Sequence, residues 1–178
     1  MKRMSKTFYL LGEINNESLG IIQEIRDYQE ECLENEFEVL NDIKIIISSE
    51  GGDESIGYAI FDTLVAYNKF APVTTHGYGQ VCSIASLILQ AGEERLLSPN
   101  CIFMIHNGSL ELKNSINGNL LSKMALEFKL SNERYYSCLA KRGGIPLDKI
   151  RKWCDNEHFF SAEEAVRAKF ADRIIKEI

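Results

Sequence analysis

The run Ile43-Lys44-Ile45-Ile46-Ile47 is followed by Gly51-Gly52 and then by an amphipathic pattern that begins at Glu54. A β-branched stretch this apolar suits a strand buried on both faces, as in parallel sheets. After the glycines, Ile56, Ala59, Ile60, Thr63, Leu64 and Tyr67 recur at helical spacing. Strand, glycine turn and helix in that order set the chain into an α/β pattern.

The alternation continues on both sides. Residues 7–11 read as a first strand closed by Gly12, and residues 17–35 as a helix with Leu19, Ile22, Ile25, Tyr28 and Cys32 on its apolar face. A short strand over 73–76 is expected to stop at Gly77 and Gly79, and residues 82–90 are apolar enough for a buried helix. Two more strands are expected near 95–97 and 101–105, separated by the turn signal Ser98-Pro99-Asn100. The polar stretch 107–118 carries no assignable pattern. Residues 119–142 form a long helical pattern with Gly143-Gly144 as its C-cap. Pro146 then opens a shorter helix, Ser161-Ala162-Glu163-Glu164 fits a capping box before a last helix, and residues 172–175 close the order as a strand. With no linker, repeat or low-complexity tract, residues 1–178 are expected to form a single α/β domain.

Composition excludes several classes of partner. A net charge of −6 argues against a nucleic-acid backbone, and the basic pairs Lys141-Arg142 and Arg151-Lys152 are too short to reverse that. No segment reaches the length that spans a bilayer, and no signal peptide is expected. The five cysteines, Cys32, Cys82, Cys101, Cys138 and Cys154, are scattered without a C-x-x-C pair. That points away from disulfides and zinc and towards a reducing, cytoplasmic compartment. No metal and no cofactor are expected.

Acyl-transfer chemistry needs a nucleophile, a base, a group to orient the base, and donors for an oxyanion. In Gly77-Tyr78-Gly79-Gln80-Val81-Cys82-Ser83-Ile84 a strand runs into glycines, and Ser83 stands at the start of an apolar helix. A serine there is more often a plain N-cap. Of the three histidines, His106 ends a buried strand, His76 reads as a core histidine, and His158 lies in a charged loop. Asp155 and Glu157 are both candidates for an orienting carboxylate. Gly51-Gly52 would let backbone amides approach a ligand closely.

Taken together these segments resemble the proteolytic subunit of the Clp family. Ser48-Ser49-Glu50-Gly51-Gly52, followed by Gly57-Tyr58-Ala59-Ile60-Phe61-Asp62-Thr63-Leu64, is similar to the family's N-S-P-G-G…G-x-x-I-Y-D-T-M. Gly79-Gln80-Val81-Cys82-Ser83-Ile84-Ala85 resembles G-Q-A-A-S-M-G, Pro99-Asn100…Met104-Ile105-His106 resembles P-N-x-x-x-M-I-H, and Phe159-Phe160-Ser161-Ala162-Glu163-Glu164-Ala165 resembles F-x-S-A-x-E-A. The resemblance runs from about residue 7 to 175. It implies a crotonase-like spiral of ββα units with a handle over about 107–142. It also implies a homo-oligomeric, heptameric ring enclosing a degradation chamber for unfolded polypeptide. By position, Ser83 would be the nucleophile, His106 the base, Glu157 the third triad member with Asp155 in reserve, and the N–H groups of Gly52 and Ile84 the oxyanion hole.

The chain departs from the family pattern at several points. Glu157 stands where aspartate is usual, Glu50 replaces the proline, and Ala85-Ser86 replaces a glycine-alanine pair. The glycine-rich handle strand has become Gly108-Ser109-Leu110-Glu111-Leu112-Lys113. The resemblance also implies an AAA+ unfoldase as a partner, and here about six residues stand ahead of the first strand. Such divergence fits a phage-encoded or accessory homologue in a bacterial cell. The competing readings are a catalytically silent ring subunit, a crotonase-type hydratase or isomerase, and a peptidase of capsid maturation.

Overall fold

A computed structural model describes residues 5–34, 42–109 and 117–176. The strands are β1 (Lys6–Leu11), β2 (Ile43–Ser49), β3 (Val73–Cys82), β4 (Glu94–Leu97), β5 (Ile102–Ile105), β6 (His158–Phe160) and β7 (Arg173–Ile174). The helices are α1 (Gly20–Glu34), α2 (Glu54–Tyr67), α3 (Ile84–Leu89), α4 (Gly118–Gly143), α5 (Leu147–Cys154) and α6 (Ala162–Arg167), with a 3-10 turn, Asn16–Leu19, ahead of α1. This is the α/β spiral expected from the sequence, and α4 is its helical handle.

One sheet organises the molecule, in the order β1-β2-β3-β4-β7 with parallel neighbours throughout. The isoleucine-rich β2 lies inside it, and Ile43, Ile45 and Ile47 are almost wholly buried. That is why the run lacks polar alternation. β3 is the branching element. Its first half pairs with β2 and β4, and its last residues, Gln80 to Cys82, pair with β5. β5 in turn carries the antiparallel β6.

Gly77 and Gly79 do not end β3, contrary to the sequence expectation of a strand over 73–76. Between the rungs Ile47↔Gly77 and Ser49↔Val81 the register shifts, so two residue steps on β2 face four on β3. The glycines make an irregular bulge, with Gly79 at φ +61°, and the strand resumes beyond it. Cys82 is therefore the last residue of β3, and the expected helix over 82–90 is shorter, Ile84–Leu89. The N-terminal helix also starts later than expected, because Asn15 caps the 3-10 turn in a capping box with Ser18. Its last expected residue, Asn35, lies outside the described residues, as do positions 110–116 of the handle segment. His158, expected in a loop, belongs to β6. The capping box at Ser161 and Glu164 and the left-handed C-cap at Gly144 are as expected.

The C-terminal part is tied to the sheet by Arg95, which is buried on β4 and makes a two-pronged contact with Asp172 at 2.6 and 3.1 Å. Burial would raise the Asp172 carboxyl, but the Arg95 side chain and backbone N–H outweigh it and hold the group below the usual carboxylate range. The cysteines are thiols, four of them buried. Among the described residues no helix is long and apolar enough to cross a membrane.

His76 is wholly buried on β3, with Nε2 3.2 Å from Ser98 Oγ. Burial first, and then the positive Lys44, lower its pKa from 6.5 to about 4. As pH falls the unfolded chain takes up this proton before the folded one does. The stability contributed by neutral His76 is therefore complete above pH 6.5 and is lost as pH approaches 4. The expected loss is up to about 3 kcal/mol over that window. Urea unfolding at pH 7 and at mildly acid pH should show it, with a shallower dependence in His76→Gln. An unchanged slope in that variant would remove His76 as the cause.

Candidate active site

Ser83 occupies the hinge between β3 and α3, with φ +55° and ψ −129°. A non-glycine residue in such a conformation costs of order 1–3 kcal/mol and needs its surroundings to hold it. Those surroundings are visible. Ser83 N–H donates to Met104 O at 2.9 Å, extending the β3–β5 pairing by one rung. On its other side the Ser83 carbonyl accepts from the Ser86 N–H at 2.9 Å and from Ser86 Oγ at 2.6 Å. The side chain does not cap the helix, so the ordinary N-cap role is not what places a serine here.

The same β3–β5 rung delivers the base. β5 ends at Ile105, and the next residue, His106, sets Nε2 2.8 Å from Ser83 Oγ. If the serine hydroxyl donates, Nε2 is the unprotonated nitrogen and the ring proton sits on Nδ1. The two residues lie 23 positions apart in the chain and meet because two parallel strands finish side by side.

The carboxylates stand differently. Antiparallel pairing of β6 with β5 ends on the rung Ile105↔His158, so Glu157 lies just beyond it, facing the position of His106. Its side chain is exposed. Among the described residues no hydrogen bond joins His106 to Glu157 or to Asp155. The charge of Glu157 still reaches the site: the Cys82 thiol is pushed up by burial first, then by Glu50 and more weakly by Glu157. Asp155 is the exposed C-cap of α5, where the Cys154 carbonyl accepts from Asn107 N–H at 3.0 Å. The structure thus brings Ser83 and His106 together and leaves Glu157 adjacent without a bond.

The turn at Gly51 and Gly52 packs against the Ser83 hinge. Ile14 bridges to this turn, with its N–H on Gly51 O at 2.8 Å and its carbonyl accepting from Asp53 N–H at 2.7 Å. Gly52 sits at φ +147°, where a Cβ would overlap the Ile14 carbonyl. At Gly51, φ +104°, a Cβ would lie 2.6 Å from Ser83 Cβ and 2.9 Å from Cys82 O. Only glycines let this turn lie against the hinge. Among the described residues the N–H groups of Gly52 and Ile84 donate to no protein acceptor, and both residues line a cleft of about 640 Å³ with Ser83 and His106. Leu120, Met124 and Phe128 of α4 form its apolar side.

A family model described as Clp protease matches residues 14–178. The chain belongs to the Clp protease family. An ATP-dependent Clp protease proteolytic subunit of Deinococcus radiodurans is 32% identical over 138 residues, covering 75% of this chain and 65% of that relative. The aligned stretch therefore spans a little less than two thirds of the relative.

Two polar groups of this Clp-family site escaped sequence reading, Ser86 and Tyr135. Tyr135 lies within the long helical pattern over 119–142, where nothing local marks its hydroxyl, and the partner of that hydroxyl is 49 residues away. The replacement of glycine-alanine by Ala85-Ser86 was the one available signal.

Gly51→Ala should cost roughly 2–4 kcal/mol, from the strained φ together with overlap on the hinge. A lowered urea midpoint would record this. A midpoint within error of the parent would mean that the turn can withdraw from Ser83.

Proposed function

We propose that this chain is a serine-type endopeptidase subunit that hydrolyses peptide bonds through Ser83 and His106. The observation that carries the proposal is the 2.8 Å contact from His106 Nε2 to the Oγ of a serine held at positive φ. In this reading Ser83 Oγ attacks the peptide carbonyl carbon while its proton passes to His106 Nε2. The carbonyl oxygen becomes an oxyanion between the N–H groups of Gly52 and Ile84. His106 then gives the proton to the leaving amine, the C–N bond breaks, and an acyl ester remains on Ser83. Water attacks the ester, giving a proton to His106, and the carboxylic acid leaves as that proton returns to Ser83. Glu157, carried by the strand end beside β5, is assigned to orient His106, with Asp155 in reserve.

The substrate is taken to be unfolded polypeptide, since the cleft has an apolar side and is bordered, just beyond β5, by the backbone of Gly108. Its backbone N–H presently meets Asn132 Oδ1 at 3.0 Å. Assembly into a homo-oligomeric ring is supported by leucines about half exposed on α4 outside the cleft, at Leu121, Leu126 and Leu130. An AAA+ unfoldase is the candidate partner, and the bacterial cytoplasm the proposed location. No cofactor enters the mechanism. One observation favours a second reading, a catalytically silent ring subunit: no hydrogen bond joins His106 to a carboxylate among the described residues.

A fluorophosphonate separates the two. Ser83 Oγ displaces fluoride at phosphorus, and intact mass reads the adduct. The active subunit should take one adduct, Ser83→Ala none, and Glu157→Ala should label at least about tenfold more slowly. A larger loss in Asp155→Ala would move the orienting role to that residue. An unreactive, folded and assembled wild type would instead support the silent subunit.

A further inference from the structure

Beneath Ser83 two buried hydroxyls meet. Ser86 Oγ lies 2.6 Å from the Ser83 carbonyl oxygen and 2.6 Å from Tyr135 Oη, and Tyr135 Oη lies 3.2 Å from that same carbonyl. Ser86 is 0% exposed and Tyr135 5%. Burial drives the Tyr135 phenol well above its usual range, so it stays protonated and is a hydrogen donor. Each oxygen has one hydrogen to give. The two short contacts are both satisfied when Tyr135 donates to Ser86 and Ser86 donates to Ser83 O.

We propose that Tyr135 and Ser86 are positioning residues that aim and polarise the peptide group between Ser83 and Ile84. This rests on the serine-peptidase reading above, in which the N–H of that peptide group is an oxyanion donor.

The physical reason is the planarity of the peptide unit. In a trans peptide the C=O and the next N–H lie in one plane and point in opposite directions. Fixing the direction of Ser83 O therefore fixes where Ile84 N–H points, and at Ser83 this plane is set by an uncommon ψ of −129°. Hydrogen bonds accepted at a carbonyl also polarise the amide and strengthen its N–H as a donor. A chain of two hydroxyls ending on Ser83 O does both. The relay follows from this chain's own residues, since an alanine at position 86, as in the glycine-alanine of the family pattern, has no hydroxyl to pass it on.

The opposing account is that the hydroxyls only satisfy one another as buried polar groups. The double variant Ser86→Ala/Tyr135→Phe separates the two. It removes both partners together, so no buried donor is stranded and folding stability should change little. It leaves the Ser83 carbonyl with only the Ser86 N–H. Measured on the assembled full chain with a fluorogenic peptide, kcat should fall roughly tenfold to a hundredfold with KM within about twofold. Fluorophosphonate labelling should slow in parallel, and each single variant should lie between. If the double variant fails to fold, Ser86→Ala alone decides, by a several-fold drop in kcat or none. A folded double variant with wild-type kcat, or one whose loss lies in KM, overturns the inference and leaves the peptidase reading standing. A wild type that neither cleaves peptide nor takes an adduct overturns both.

Discussion

The pairing of the last residues of β3 with β5 is the constraint on which the candidate site depends. Cys82 faces Met104 on that ladder, and the next backbone hydrogen bond, from Ser83 N–H to Met104 O, pins the serine at the point where the strand turns into α3. Four hydrogen bonds converge on the Ser83 backbone: its N–H donates to Met104 O, and its carbonyl accepts from the Ser86 N–H, the Ser86 hydroxyl and the Tyr135 hydroxyl. At about 1 kcal/mol each, the two backbone bonds among them are already of the same size as the strain of a positive φ. The same ladder ends β5 where His106 must stand to reach Ser83 Oγ. A single run of parallel pairing thus sets both the strained backbone and the distance to the imidazole.

That pairing is available only because β3 is long and bent. Its first half is committed to β2 and β4, and its far end reaches β5 after the irregularity at Gly77 and Gly79. α3 then dives into the core with all six residues buried. A short helix so apolar has little strength of its own. It is held by what packs around it, and this makes the hinge at Ser83 a rigid place and its carbonyl a dry one. Tyr135 arrives there from α4, so the handle helix has one end in the cleft wall and the other beneath the hinge serine.

Much of this was legible in the chain. The isoleucine run of β2, the glycine turn, the apolar stripe of α2, the capping box at Ser161 and the Gly144 cap are local signals, each with a local cause. Ser83 and His106 were legible only as members of a motif set, since a serine before an apolar stretch and a histidine after a strand are commonplace alone. The misread strand over 73–76 has a plain reason. Glycine is both the usual strand terminator and the usual bulge residue, and only a partner strand on each side distinguishes them. β6 was hidden for a similar reason: three residues behind a charged segment carry no period, and it exists because β5 offers an edge.

By itself the sequence determined the α/β class, the positions of the long elements and the identity of the residues with usable chemistry, because periodicity, caps and side-chain type are properties of short stretches. What tertiary structure decided was which of those residues meet. Ser83 and His106 touch through strand pairing, Ser83 and Tyr135 through helix packing, and Glu157 stands beside His106 without bonding it. These separations of 23, 52 and 51 residues are closed by long-range contacts that no local pattern encodes.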